Sequence, residues 1–255
     1  MTAGVALALV ALTGCGSATT PTPPSAPAVR ATGSVTVFAA ASLTEAFQDV
    51  QAGLRTSDPA LFLTYDFAGS GALVAEIQQG APADVVATAD TASMQKLVDA
   101  GLVDTPVTFA RNALEILVAP GNPKHVATLA DLARPDLKLV LGDETVPAGK
   151  YAAQALEAAG VAVRPVSKEV DVKAAVAKVT SGEADVAVVY VSDVQAAGAK
   201  GQGVPIPDSQ NVVAEYPIAV VRASKDPAAA AAFLDVVVHG AGQDALRRRG
   251  FAAPT

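Results

Sequence analysis

Val35-Thr36-Val37-Phe38-Ala39-Ala40-Ala41-Ser42-Leu43-Thr44-Glu45-Ala46-Phe47 decides how the rest of the chain is read. Val35, Val37 and Phe38, followed by small residues, spell a short buried strand, and Ser42 to Glu45 fits the S-x-x-E capping box that opens a helix. A strand therefore runs directly into a helix N-terminus. Such an end offers unpaired backbone N–H groups and about half a positive charge, so it holds an anion without any basic side chain. A single serine in that position is most simply a helix cap. The arrangement recurs along this chain, and the recurrence points to a ligand.

Working outward, the 255 residues, 51% of them hydrophobic, supply a sizeable core for one large domain or two lobes. A formal net charge of -7 leaves no basic stripe to displace phosphate counterions, which argues against nucleic acid as a partner. Residues 1–14 are mostly apolar and small and end in Leu12-Thr13-Gly14-Cys15, which resembles the lipobox of bacterial lipoproteins, where a signal peptidase cuts before a cysteine that is then acylated. Ser, Thr, Pro, Ala and Gly dominate from Gly16 to Thr32, the composition of an extended tether. With a single cysteine there is no disulfide framework. The expected organisation is a signal peptide over 1–14, a lipidated Cys15 with its tether over 15–33, and a folded body from Ser34 onward.

From Ser34 the pattern alternates strand and helix, which reads as α/β with mostly parallel sheets. A helix over about 43–54 and a strand over 61–67 lead to Ala68-Gly69-Ser70-Gly71-Ala72-Leu73, a second strand-to-helix junction in which Ser70 takes the role of Ser42. The flanking glycines leave the backbone bare for close approach. A short strand around Val85 precedes a helix from Thr91 that Gly101 stops. Residues 112–120 and 137–141 are strand-like, with helical signal over 129–133 between them. A third junction is Gly142-Asp143-Glu144-Thr145-Val146-Pro147-Ala148-Gly149, where Pro147 suits a first helical turn and leaves the N–H groups of Ala148 and Gly149 facing outward. A fourth is Glu169-Val170-Asp171-Val172, with Asp171 capping a helix over 172–181. Val186 to Tyr190 is a fully apolar strand with Tyr190 at its carboxyl end, the side on which open α/β sheets place ligands. Tyr216 to Val221 is the last strand, and two helices, one starting at Asp226-Pro227 and one covering 241–249, complete the chain. The Arg247-Arg248-Arg249 run reads as a solvated helix end.

Much familiar chemistry is missing. His125 and His239 have no companions at ligand spacing, so no metal site is expected. Neither serine sits in a G-x-S-x-G elbow. Asp84, Asp90, Asp143 and Asp185 could pair as acid and base, but loop carboxylates are usually caps and turn formers. What remains is four helix openings with small or hydroxyl residues and two cations, Lys150 and Lys173. That set suits a small, fully ionised oxyanion held by neutral donors.

On these residues the sequence resembles the molybdate-binding proteins of bacterial molybdate ABC transporters, which are type II periplasmic solute-binding proteins. The motifs are Val37-Phe38-Ala39-Ala40-Ala41-Ser42-Leu43, Gly80-Ala81-Pro82-Ala83-Asp84-Val85, Val146-Pro147-Ala148-Gly149, Val188-Val189-Tyr190-Val191-Ser192-Asp193 and Tyr216-Pro217-Ile218-Ala219-Val220. They occur in the family's order over nearly all of the chain from Ser34. Two departures stand out: the 142–147 loop is a residue shorter than in the best-known proteobacterial members, and Gly71 stands where a hydroxyl residue is common. The resemblance implies that Ser42 and Ser70 each give a hydroxyl and a backbone N–H to the oxyanion, Ala148 and Val172 give backbone N–H groups, and Tyr190 gives its hydroxyl.

The same resemblance implies a two-lobed α/β fold, each lobe a mostly parallel sheet flanked by helices. Residues 34–113 and 218–255 would form one lobe and 114–217 the other, joined by a two-strand hinge. It implies a monomeric receptor, not an enzyme, without a cofactor. That receptor would be anchored outside the cytoplasm through Cys15 and pass molybdate or tungstate to a membrane permease driven by an ATPase. Two other readings stand beside it: a receptor of this fold for sulfate, phosphate or a small organic anion, and a secreted enzyme using Asp84 or Asp143.

Overall fold

The computed structural model describes residues 1–2 and 32–254. The lipobox cysteine Cys15, the leader from residue 3 onward and the tether up to residue 31 lie outside the described residues. The elements, in chain order, are β1 (Gly33–Ala40), a 3-10 turn (Ala41–Leu43), α1 (Thr44–Ser57), β2 (Leu61–Ala68), α2 (Ser70–Gln78), β3 (Val85–Ala87), α3 (Thr91–Asp99), β4 (Val107–Val118), a 3-10 turn (Leu129–Ala133), β5 (Leu139–Gly142), α4 (Pro147–Ala158), β6 (Ser167–Glu169), α5 (Val172–Thr180), β7 (Val186–Tyr190), α6 (Val191–Ala197), a 3-10 turn (Gly198–Lys200), β8 (Gln202–Pro205), β9 (Val213–Val220), α7 (Pro227–His239) and α8 (Ala241–Arg248).

The strands join in the order β2-β1-β3-β9-β4-β7-β5-β6, with β8 on β4. Each half has a parallel core, β2-β1-β3 in the first and β7-β5-β6 in the second. The antiparallel pairings belong to β9, β4 and β8. β4 is shared between the halves. Its opening residues, Val107 to Ala113, run against β9, and from Leu114 to Val118 it runs against β7 on one side, with β8 along Glu115 to Val118 on the other. The switch of partners falls between Ala113 and Leu114. Asn211 fastens that point, accepting from the Leu114 N–H at 3.0 Å and donating to the Leu114 carbonyl at 2.9 Å.

Local sequence explains the elements that carry the site. Val186 to Tyr190 is buried at every residue, as a central strand covered on both faces must be. In β1, Val35, Val37 and Ala39 are fully buried and the intervening Thr36 is half-buried. Asp171 caps α5 by accepting from Ala174 N–H at 2.8 Å, and that helix buries Val172, Ala175 and Val179, leaving Val176 half-buried. Pro147 opens α4, and Gly101, Gly160 and Gly182 follow their helices with positive φ. Phe47, Phe109, Phe233, Tyr216 and Phe251 interlock edge to face or tilted beneath the first half.

Two local expectations need correction. Ser42 does not cap a helix: it lies inside the 3-10 turn, α1 begins after it at Thr44, and neither Leu43 nor Ala40 makes a side-chain cap. The arginine run is not wholly solvated, because Arg249 makes a two-pronged ion pair with Asp49 of α1 at 2.7 and 2.8 Å. This pair holds the Asp49 carboxyl below the ordinary carboxylate range. Four further elements were not foreseen: β6, α6, the 3-10 turn Gly198–Lys200 and β8.

Candidate functional site

The four junctions meet. Ser42 leaves the carboxyl end of β1 in its 3-10 turn, Ser70 is the first residue of α2, Ala148 lies in the first turn of α4, Val172 opens α5 and Tyr190 ends β7. All five residues line one cavity, along with Gly69, Val146, Pro147 and Asp171 among others. Ser42 and Ser70 come from the first half of the sheet, and Ala148, Val172 and Tyr190 from the second. The cavity is small, about 20 Å³. A site of that size takes a compact molecule and excludes a sugar or a peptide.

Each polar group around the cavity has a defined state. Ser70 Oγ, 1% exposed as a residue, accepts a hydrogen bond from the Ala89 N–H at 3.0 Å, so its own proton is left to donate into the cavity. Ser42 Oγ lies 3.0 Å from Tyr216 Oη. Tyr190 Oη is buried without a hydrogen-bond partner among the described residues. A buried orphan hydroxyl costs about 1–3 kcal/mol, a penalty relieved when a ligand acceptor meets it. Burial pushes the Tyr190 phenol well above its ordinary range, so it is a donor at any physiological pH. Ala148 and Val172 lie in the first turns of α4 and α5, where backbone N–H groups have no intrahelical acceptor. The one carboxylate on the lining, Asp171, is committed to its cap. The cavity is therefore a shell of donors.

The cations of the sequence reading stand outside this shell. Lys150 Nζ is 3.5 Å from Asp90 Oδ2, and Lys173 Nζ is 2.6 Å from Glu45 Oε2 and 3.0 Å from Asp193 Oδ1. Both lysines belong to the second half; Asp90 and Glu45 belong to the first. The four candidate acid–base aspartates are likewise structural. Asp84 takes bonds from Thr36 N–H, Ser224 Oγ and Lys225 N–H, Asp90 caps α3 through Ser93 N–H, Asp143 holds Thr145, and Asp185 holds Lys138 N–H. None lines the cavity. The two bonds from Thr145 keep Asp143 below the ordinary carboxylate range. Among the described residues no group of three His, Cys, Asp or Glu side chains could hold a metal ion.

Two glycines set how closely the walls approach. A Cβ on Gly149 would collide with the carbonyl oxygens of Asp143 and Gly142, so the first turn of α4 can sit on the end of β5 only with glycine there. A Cβ on Gly69, which precedes α2, would lie 2.7 Å from the Val170 carbonyl of the opposite half. Sequence reasoning missed Tyr216 as a contact of Ser42, Ala89 as the donor to Ser70, and Asp193, which accepts from Tyr190 N–H at 3.3 Å. The motifs containing Tyr216 and Asp193 had been noted, but pairing them with the site needs the tertiary fold.

A family model described as bacterial extracellular solute-binding protein matches residues 35–252. The chain is 39% identical over 250 residues to the molybdate-binding protein ModA of Mycobacterium tuberculosis, covering 98% of this chain and 95% of that one. It is 32% identical over 230 residues to ModA of Escherichia coli, covering 86% and 89%. The periplasmic molybdate-binding protein of Azotobacter vinelandii superposes with a TM-score of 0.77 at 20% identity, over 87% of this chain and 100% of that one, a likeness of fold. Two sheet halves around a donor-lined cavity and a match across nearly the whole folded body agree: the chain belongs to the bacterial extracellular solute-binding protein family.

Proposed function

We propose that this protein is the extracytoplasmic receptor of an ABC transporter and that it binds molybdate, and tungstate with it, between its two halves. Ser42 and Ser70 would give hydroxyl and backbone donors, Ala148 and Val172 backbone N–H groups, and Tyr190 its hydroxyl. The observation that carries this reading is the convergence of these donors on one small cavity that no Lys or Arg lines among the described residues. A fully deprotonated tetrahedral oxyanion matches that chemistry, because it only accepts. A protonated anion would bring a hydroxyl with nothing to receive it. The names of the relatives support the choice of molybdate.

Size would separate molybdate from sulfate, since a fixed donor shell cannot shrink onto a smaller tetrahedron without leaving donors unpaired. Because donors come from both halves, the bound anion favours the conformation in which the halves meet. The partners of this reading are a membrane permease and its ATPase, with a lipid anchor on Cys15 and a hinge between residues 34–113 with 218–255 and residues 114–217.

Thermal unfolding of a chain starting near Ser34, with molybdate, tungstate, sulfate and phosphate added separately, tests it. Ligand at about a hundred times its Kd adds about 2.7 kcal/mol, which for a body of this size raises Tm by roughly 5–10 °C. A rise with molybdate and tungstate alone supports the reading. A rise only with sulfate or phosphate moves the protein to another anion, and no rise with any of them removes the molybdate assignment and turns the search to other small anions.

A further inference from the structure

We propose that Tyr216 is a positioning residue of the oxyanion site, acting through Ser42 to fix the direction of its hydroxyl proton; this rests on the receptor reading above. Tyr216 does not line the cavity. It is fully buried on β9, with Oη 3.0 Å from Ser42 Oγ. Its ring is held edge-on by Phe109 at 6.5 Å and by Phe251 at 5.3 Å, and it meets the Tyr190 ring at 5.9 Å between centroids.

The argument is one of proton count. A serine hydroxyl has one proton and two lone pairs. An ionised oxyanion has no proton to give, so Ser42 must point its own at the anion. The Ser42–Tyr216 bond must then be donated by the phenol. Tyr216 O–H to Ser42 Oγ, and Ser42 O–H to the anion, form a chain of aligned donors in which each bond polarises the next. Burial raises the Tyr216 phenol far beyond its ordinary range, so the proton this chain needs is always present.

Ser70 has the same requirement met differently. Its Oγ receives from a backbone N–H, which cannot reverse. Ser42 instead receives from a phenol that could itself accept, so the direction of the Ser42 proton depends on Tyr216 donating.

The test is calorimetric molybdate affinity for wild type, Y216F, S42A, S70A and the doubles Y216F/S42A and Y216F/S70A, with the Tm of each unliganded protein recorded. Phenylalanine keeps the ring among Phe109, Phe251 and Tyr190. Y216F is expected to weaken binding roughly 3- to 10-fold, the worth of one hydrogen bond. Y216F/S42A should bind no more weakly than S42A alone, because the phenol is proposed to reach the anion through its bond to Ser42 Oγ, whereas the Y216F and S70A losses should multiply. A structural role for Tyr216 would instead multiply with both. Wild-type binding with an unaltered Y216F, or with losses that multiply on S42A, overturns the positioning role alone. A wild-type protein that takes up no molybdate overturns the receptor reading and this inference with it.

Discussion

The Lys173 ammonium stands 2.6 Å from Glu45 Oε2, tying the first turn of α5 in one half to the first turn of α1 in the other. The same ammonium is 3.0 Å from Asp193 Oδ1, and Asp193 is fully buried. Burial acts to lower the Lys173 pKa, but the Asp193 and Glu45 carboxylates outweigh it and hold the ammonium above the ordinary lysine range. Burial likewise holds Asp193 above the ordinary carboxylate range, against the pull of Lys173.

Replacing Lys173 by Met strands the Asp193 charge, which should cost about 3 kcal/mol of stability near neutral pH. Asp193 would then have a folded pKa raised still further, so stability is retained below its unfolded pKa and lost as pH rises through the folded one. The K173M deficit should therefore be small in acid and grow toward neutrality. Chemical unfolding across that range measures it, and D193N added to K173M should recover most of the loss. E45Q leaves Asp193 paired and should cost under about 1 kcal/mol, the worth of a half-exposed pair, while speeding anion release in stopped-flow experiments.

Tyr190 gives a prediction of opposite signs. Its hydroxyl is buried and unpaired, so Y190F removes an unsatisfied group and should stabilise the unliganded protein by about 1 kcal/mol. The same substitution removes a donor to the anion and should weaken molybdate binding roughly 10- to 100-fold, the worth of a hydrogen bond to a charge. Unliganded Tm and calorimetric affinity, measured together, check both.

Gly69 has an extended backbone, with φ -62 and ψ 138, that alanine adopts freely. Its added methyl would meet only the opposite half, at the Val170 carbonyl. G69A should therefore leave unliganded stability within about 0.5 kcal/mol of wild type and cost about 1–3 kcal/mol of binding free energy, as overpacking does. Equal loss in both measurements would show that Gly69 matters to the fold and not to the meeting of the halves.

All four tyrosines, Tyr65, Tyr151, Tyr190 and Tyr216, are held above the ordinary phenol range, in each case chiefly by burial. The unfolded chain ionises its tyrosines near pH 10. Stability from these groups is present in full below that value and falls as pH rises through the folded pKa values. Spectrophotometric titration should show almost no tyrosinate in the native protein just above pH 10, and its appearance should coincide with loss of the native circular dichroism signal.

The sequence announced those parts of the site that depend on neighbouring residues. Asp171 before Val172, Pro147 before Ala148 and the apolar run ending at Tyr190 are local signals, and each stands where its signal put it. Ser42 was harder, because a strand followed by S-x-x-E resembles a cap while the hydroxyl's partner lies 174 residues away. Glu45, the other half of that apparent box, spans to Lys173 instead. β6 was missed because Ser167-Lys168-Glu169 has no apolar alternation and borders the sheet, where only one side needs covering. α6 was missed because it follows β7 with no intervening turn, its start marked by Asp193 accepting from Tyr190 N–H.

β4 passes from one half to the other as an unbroken strand, exchanging neighbours between Ala113 and Leu114. A swing of the halves would then be taken up as torsion along a continuous ribbon, with the ladder on either side of the exchange intact. Little of the protein's cohesion would be spent in opening, and the anion's few bonds would suffice to decide which way the ribbon rests.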